Sequence, residues 1–327
     1  MVDLVEDNIR KIPITVITGY LGAGKTTLMN RILSENHGKK YAVVVNEFGE
    51  EGIDNDLIVD ADEEIFEMNN GCICCTVRGD LIRIIGTLLK RKDHFDGLII
   101  ETTGLADPAP IVQTFFVDED MQDKVALDAV VTVVDAKHCL QQLKNGHEAI
   151  EQIAFADVVL LNKIDLVGSQ VVDEVINRIR GLNRFAKIHK TTGSNVDLNA
   201  VLNCGAFDLQ RILKVEPQLL SGEDDHEHDE SITSVSLKTD RPVLADRFSE
   251  WIRGFIMQRG TDVLRSKGIL SLDGQDQRYV FQGVHMVMDS AWGAPWNGTK
   301  RESRLVFIGR NLNESNLQRE FLACTQN

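Results

Sequence analysis

Gly19-Tyr20-Leu21-Gly22-Ala23-Gly24-Lys25-Thr26 follows the apolar run Ile14-Thr15-Val16-Ile17 and leads into Leu28, Met29, Ile32 and Leu33, which have helical spacing. The octapeptide fits G-x-x-x-x-G-K-[ST] between a strand and a helix, the setting that gives this pattern its meaning. Its logic is a row of backbone N–H groups turned toward anionic oxygens. Gly22 and Gly24 permit the tight path, and the helix N-terminus adds partial positive charge. On this reading Gly22, Ala23, Gly24, Lys25, Thr26 and Thr27 form a phosphate cradle. Lys25 reaches the β- and γ-phosphates, the Thr26 hydroxyl ligates Mg2+, and Thr27 adds a phosphate contact.

Outward from this loop, short β-branched runs recur at Tyr41 to Val45, Leu98-Ile99-Ile100, Val130 to Val134 and Val158 to Leu161. Segments of helical period separate them, among them the one closed by Gly38 and Leu81-Ile84-Ile85-Leu88-Leu89. Apolar runs alternating with helices predict βαβ crossovers and an α/β fold, a doubly wound parallel sheet of the P-loop NTPase type. The pattern changes at Glu223 to Glu230, which carries no apolar side chain and reads as a solvated linker. We therefore divide the chain into residues 1–222, a linker at 223–231, and a smaller α+β C-terminal domain at 232–327. In that domain strands are expected at Ser231 to Leu237, Ile269 to Leu272, Arg278 to Met288 and Ser303 to Gly309, with Asp273-Gly274 as a hairpin turn. Phe248, Trp251, Ile252, Phe255 and Ile256 share one helical face, and Asn313 caps a last helix.

Asn162-Lys163-Ile164-Asp165 follows a strand at the carboxyl edge, where open α/β sheets bind ligands, and reads as a base-recognition turn. The Asp165 carboxylate can accept hydrogen bonds from guanine N1–H and the 2-amino group, which adenine does not offer there, so GTP is favoured over ATP. Lys190 to Gly193 is a weak signal for a loop closing over the base. Glu101 ends the run Leu98-Ile99-Ile100 and supplies an acid for Mg2+, through a water given its extra methylene. Gly104 offers an amide to the γ-phosphate. Glu47, Glu50 and Glu51 are candidates to orient the attacking water, with a solvated acidic loop as the commoner explanation.

Cys72, Cys74 and Cys75 lie within four positions, too close together to staple distant segments. Thiolates so placed in an irregular turn favour Zn2+ or another soft or borderline ion, and three ligands leave one position open, as a carrier needs. A redox-active pair (Cys74-Cys75 or Cys72-Cys75) or plain buried thiols remain alternatives. Cys139, Cys204 and Cys324 read as buried thiols. His226 and His228, inside the acidic linker, are either accessory metal collectors or solvated surface.

The composition fits these readings. The 327-residue chain is 43% hydrophobic with a formal charge of −15, which argues against a nucleic-acid partner. No apolar run reaches the roughly 18–20 residues a membrane span needs, and residues 1–11 are too charged for a signal peptide, so a cytoplasmic protein is expected.

The P-loop, N-E-F-G-E at 46–50, G-C-I-C-C at 71–75, E-T-T-G at 101–104, A-D-P at 106–108 and N-K-I-D at 162–165 together resemble the CobW family. F-Q-G-V at 281–284 and Val306 to Gly309 resemble that family's C-terminal domain. The resemblance implies a slow GTPase that binds Zn2+, Co2+ or a similar ion at Cys72, Cys74 and Cys75. It further implies delivery of the ion to a client protein, with the C-terminal domain recognising the client or a second protomer.

Overall fold

The computed structural model describes residues 11–46, 65–68, 75–90, 95–207 and 232–326. Two sheets organise them. The first half-sheet begins with β1 (Ile12–Thr18), α1 (Lys25–Ser34), β2 (Tyr41–Asn46), β3 (Ile65–Met68), α2 (Cys75–Leu89) and β4 (Gly97–Glu101). It continues through α3 (Ala109–Val117), α4 (Glu119–Lys124), β5 (Val125–Asp135), α5 (Cys139–Asn145), α6 (His147–Phe155), β6 (Val158–Asn162), α7 (Ser169–Leu182) and β7 (Lys187–Lys190). All seven strands are parallel, in the order β3-β2-β4-β1-β5-β6-β7. Helices cover both faces. One face buries Val16, Val44, Ile100 and Val130 under α2, α3 and α6, the other buries Ile17, Val43, Ile99 and Val131 under α1. Burial on both faces is why these strands read as unbroken apolar runs.

The second sheet is antiparallel. It contains β8 (Ile232–Thr239), β9 (Val263–Leu270), β10 (Gln277–Val284), β11 (Val287–Pro295) and β12 (Ser303–Arg310), in the order β11-β10-β9-β12-β8. Between them, α8 (Ala245–Arg259) precedes β9, and α9 (Glu314–Ala323) follows β12. The expected face of α8 packs Phe248, Ile252 and Ile256 on Phe281, Phe307 and Phe321. Asn313 caps α9, its side chain accepting from Asn316 N at 2.9 Å.

The sheet's other face meets the first domain. Asp157, just before β6, pairs with Arg265 and, at 3.0 Å, with Lys267, while its second oxygen accepts from Val130 N at 2.9 Å. Arg265 also donates to Phe155 O and lies 4.7 Å above the Phe207 ring. Burial opposes ionisation of Asp157, but the two cations and the Val130 amide outweigh it and hold its pKa below the usual range.

Several elements differ from expectation. β9 begins at Val263, ahead of the expected Ile269. The run Arg278 to Met288 is two strands rather than one, because His285 adopts a left-handed φ of 52° and turns the chain into β11. No Gly, Asn or Pro marks that turn, so pattern alone hides it. β7 is short and polar and gave no run to read. α1 stops at Ser34, ahead of Gly38, which has φ +69°. α2 begins at Cys75, so the cysteine motif runs into a helix instead of lying wholly in an irregular turn. Glu47, Glu50, Glu51, Cys72, Cys74, His226, His228 and the linker at 223–231 lie outside the described residues.

Candidate nucleotide-binding site

The Gly19–Thr26 loop joins β1 to α1 at the carboxyl edge of the parallel sheet. Gly24 has φ +114°, and a Cβ there would stand 2.5 Å from Asn162 Nδ2, so both conformation and space demand glycine. Lys25 is buried (8% exposed) with Nζ donating to Gly19 O at 3.0 Å. Its ammonium therefore lies inside the curve of the loop, where it can meet an anion at little cost in reorganisation. Thr26 is half-buried and Thr27 exposed in the first turn of α1.

On the β6 side, side chains lace the loop to the N-K-I-D turn. Asn162, 2% exposed, donates to Ala23 O at 3.0 Å and to Ser194 Oγ at 3.2 Å. Its own oxygen accepts from Thr191 Oγ1 at 3.1 Å and Ser194 N at 2.9 Å. Ser194 Oγ donates onward to Gly24 O at 3.0 Å. Lys163, left-handed at φ 59°, donates from Nζ to Gly22 O and to Asp135 Oδ2, each at 2.7 Å. Asn162 and Lys163 are thus committed to the protein frame. Asp165, exposed on a 3-10 turn at Ile164–Leu166, is the member of the motif that faces outward.

Asp135 escaped the reading of the sequence. It closes β5, is 3% exposed, and also accepts from the amides of Lys137 and His138 at 2.8 and 3.2 Å and pairs with His138 Nδ1 at 3.1 Å. Burial raises its pKa, yet the bonds from Lys163, His138 and Lys137 prevail and lower it. The available signal was an acid ending an otherwise apolar strand at the ligand-bearing edge. Ser194 had weaker warning, one residue beyond the Lys190 to Gly193 segment.

On the β4 side, Glu101 is 7% exposed and in register with Ile17 of β1, one strand from the loop. Thr102 ties the next turn back, its N–H donating to Ile17 O at 3.0 Å and its hydroxyl to Thr18 Oγ1 at 2.8 Å. Gly104 approaches the phosphate loop so closely that a Cβ would lie 2.7 Å from Leu21 N. The turn ends at Asp107, which accepts from Ala109 N at 2.8 Å and opens α3. Burial raises the Asp107 pKa in spite of that amide and of the nearby His285 and Arg310 charges.

The structure therefore gathers Gly22, Ala23, Gly24, Lys25, Thr26, Asn162 and Lys163 around one loop, with Glu101 and Gly104 on its far side. A hydroxyl at Thr26 and a carboxylate at Glu101 are hard oxygen donors, the set Mg2+ prefers. Of the cysteine motif only the Cys75 backbone is described, as the start of α2. Met68 ends β3 at the carboxyl edge, two strands from Glu101. Among the described residues no group of three or more His, Cys, Asp or Glu could hold a metal ion. Cys139 and Cys324 are buried thiols, with burial raising their pKa to about 12 and about 11. Cys204 is half-buried rather than buried. No helix among the described residues is long and apolar enough to cross a membrane.

Comparison with known proteins agrees with this geometry. Residues 13–190 match the CobW/HypB/UreG nucleotide-binding domain and residues 232–325 the cobalamin synthesis protein CobW C-terminal domain. The chain is 36% identical over 315 residues to the zinc chaperone YjiA of Escherichia coli, covering 95% of this chain and 98% of that protein. It is 34% identical to the zinc-regulated GTPase metalloprotein activator 1 of Schizosaccharomyces pombe, covering 92% of this chain and 83% of that one. The crystal structure of Zn(II)-bound YjiA GTPase from E. coli superposes with a TM-score of 0.79 at 31% identity, covering 97% of this chain and all of that one (100%). With both of its sheets matched by family domains and the P-loop at the carboxyl edge of the first, the chain belongs to the CobW family.

Proposed function

We propose that this chain is a GTP-hydrolysing metallochaperone that binds a transition metal, Zn2+ foremost, at Cys72, Cys74 and Cys75 and releases it to a client protein according to nucleotide state. GTPase activity follows from the family, whose relatives include zinc-regulated and Zn(II)-bound GTPases. The observation that carries the coupling is positional. Met68, at the carboxyl end of β3, lies on the edge that holds Gly19 to Thr26 and Glu101, and Cys75, the last thiol of the motif, starts α2. A metal site following Met68 would begin at the sheet edge that carries the nucleotide site.

In this reading Asp165 selects guanine, and Asn162, Lys163 and Ser194 keep its turn in register with the phosphate loop. Lys25 meets the β- and γ-phosphates, with Thr27 as a further contact, and the Gly104 amide meets the γ-phosphate. Thr26 and, through water, Glu101 would hold Mg2+, which when bound would supply charge neutralisation for phosphoryl transfer. Glu47, with Glu50 and Glu51 beside it in sequence, is among the candidates to orient the attacking water. The loops at 46–56 and 102–107 would order with GTP bound, the metal site would tighten, and hydrolysis would relax both. The C-terminal domain recognises the client or a second protomer, and the cytoplasm is the compartment in which such thiols stay reduced.

Titration of the metal-free protein with Zn2+ against a chromophoric chelator, with Mg2+-GTP, Mg2+-GDP or no nucleotide, tests the coupling. Tighter binding with GTP than with GDP is expected, together with its loss in Cys74→Ser. Linkage requires Zn2+ to tighten GTP by the same factor. Equal affinities in all three states would leave a GTPase with a structural or redox-active cysteine cluster. Affinity must be read, not occupancy alone: an E. coli YjiA variant with a glutamate and two cysteines replaced by alanine is also Zn(II)-bound.

A further inference from the structure

We infer that Gln152 is a positioning residue for GTP hydrolysis, and that through its neighbour Glu151 the C-terminal domain acts on the same loop. Gln152, on α6, is 1% exposed, and its Nε2 donates to Gly104 O and to Ala106 O, each at 3.2 Å. A buried carboxamide lacking these partners would carry a desolvation cost, so both bonds fix the loop relative to the helix. The helix is fixed in turn, because Thr132 Oγ1 of β5 donates to Gln152 O at 2.7 Å.

Neighbouring residues of α6 belong to the domain interface. Glu151 forms an ion pair with Arg310, the last residue of β12. Phe155, at the end of α6, packs on the His285 ring at 5.7 Å between centroids. Asp107, at the end of the same loop, lies in the field of His285 and Arg310, and Glu151 lies in the field of Asp107. The loop is therefore held from α6 through Gln152 and faces charges of the second sheet through Asp107. Movement of Gly104 toward a γ-phosphate must either carry Gln152 with it or break its bonds. Either way α6 and the Glu151–Arg310 contact register the change, and a partner that alters the C-terminal sheet alters hydrolysis in return.

The inference rests on Gly104 being the γ-phosphate contact, and the experiment separates the two. Single-turnover GTP hydrolysis and GDP affinity are measured on the full chain for Gln152→Leu, Arg310→Gln, their double variant and Gly104→Ala. Loss of two neutral hydrogen bonds predicts hydrolysis about tenfold slower in Gln152→Leu with GDP affinity within about twofold of wild type. Arg310→Gln should slow hydrolysis about threefold, and the double variant should fall short of the product of the two effects. Unchanged hydrolysis in Gln152→Leu overturns the inference, and slowed hydrolysis beside it in Gly104→Ala, which keeps the amide but adds a Cβ 2.7 Å from Leu21 N, leaves the position of the turn important by another route. Unchanged hydrolysis in Gly104→Ala, with the turn pushed off the phosphate loop, removes both. If Gln152→Leu fails to fold, Arg310→Gln, whose side chain is 31% exposed, carries the test of the interdomain link, and unaltered hydrolysis there overturns it.

Discussion

The two turns that flank the phosphate loop are held in opposite ways. On the β6 side, Asn162, Lys163 and Ser194 donate to carbonyls of the loop and, together with Asp135, bond to one another, a mesh with several redundant bonds. On the β4 side, Thr102 anchors the root of the turn, and beyond it the Gly104 and Ala106 carbonyls are held by Gln152. The first arrangement suits a rigid reader, since specificity requires donors and acceptors held still against the base. The second suits a part that moves between two positions, because few bonds must be exchanged. If the contrast is functional, damage on the β6 side should change which nucleotide binds and how tightly, and damage on the β4 side should change what happens to it.

The largest effect is expected at Asp165. Asp165→Asn replaces a carboxylate acceptor with a side chain carrying an NH2 donor, costing two hydrogen bonds to a charged group. GTP affinity should fall about 100-fold or more, while xanthosine triphosphate, with a carbonyl in place of the 2-amino group, should gain. Competition between the two nucleotides in an equilibrium binding assay decides it. Unaltered preference would mean that the base is read elsewhere and that the β6 mesh merely supports the fold.

How much of this was visible beforehand depended on whether a role had a local signature. Gly24, Lys25 and Asp165 stood out in the sequence because the phosphate and guanine recognition proposed for them needs fixed residue types at fixed spacing. Strands β1, β2, β4, β5 and β6 were legible because burial on both faces leaves apolar runs. Asp135 and Gln152 were not, since each acts across the sheet on a segment far away in sequence: Lys163 for one, Gly104 and Ala106 for the other. The β10–β11 turn was hidden for a related reason, its left-handed residue being His285 rather than glycine.

A middling effect belongs to Asp135, which sharpens the comparison by loosening the mesh without touching nucleotide. Asp135→Asn removes the charge paired with Lys163 and should cost roughly 1–3 kcal/mol of stability, with GTP and GDP weakened alike. Its folded pKa is depressed, so its contribution is fully present above the ordinary carboxylate pKa of about 3.9 and is lost as pH falls through the lower folded value. The difference in melting temperature between wild type and Asp135→Asn should be constant from neutral pH to about 5 and shrink below about 4. A difference unchanged down to pH 3 would show that the Asp135 charge is not what orders Lys163.

The smallest effect tests redundancy itself. Ser194 is fully buried, and its hydroxyl donates to Gly24 O at 3.0 Å while receiving a bond from Asn162 Nδ2 at 3.2 Å. Ser194→Ala deletes both, yet Asn162 keeps its bond to Ala23 O, and the residue 194 amide still reaches Asn162 Oδ1. The loss should be about 1 kcal/mol, a several-fold weakening shared by GTP and GDP with the hydrolysis rate of bound GTP unmoved. Ser194→Gly provides the control, because the residue has φ 54° and glycine relieves that strain while losing the same hydroxyl. If glycine binds nucleotide better than alanine, the hydroxyl and the backbone contribute separately. If either variant slows hydrolysis of bound GTP instead, the β6 side is coupled to the reacting phosphate, and the division between a still reader and a moving loop fails at its more rigid half.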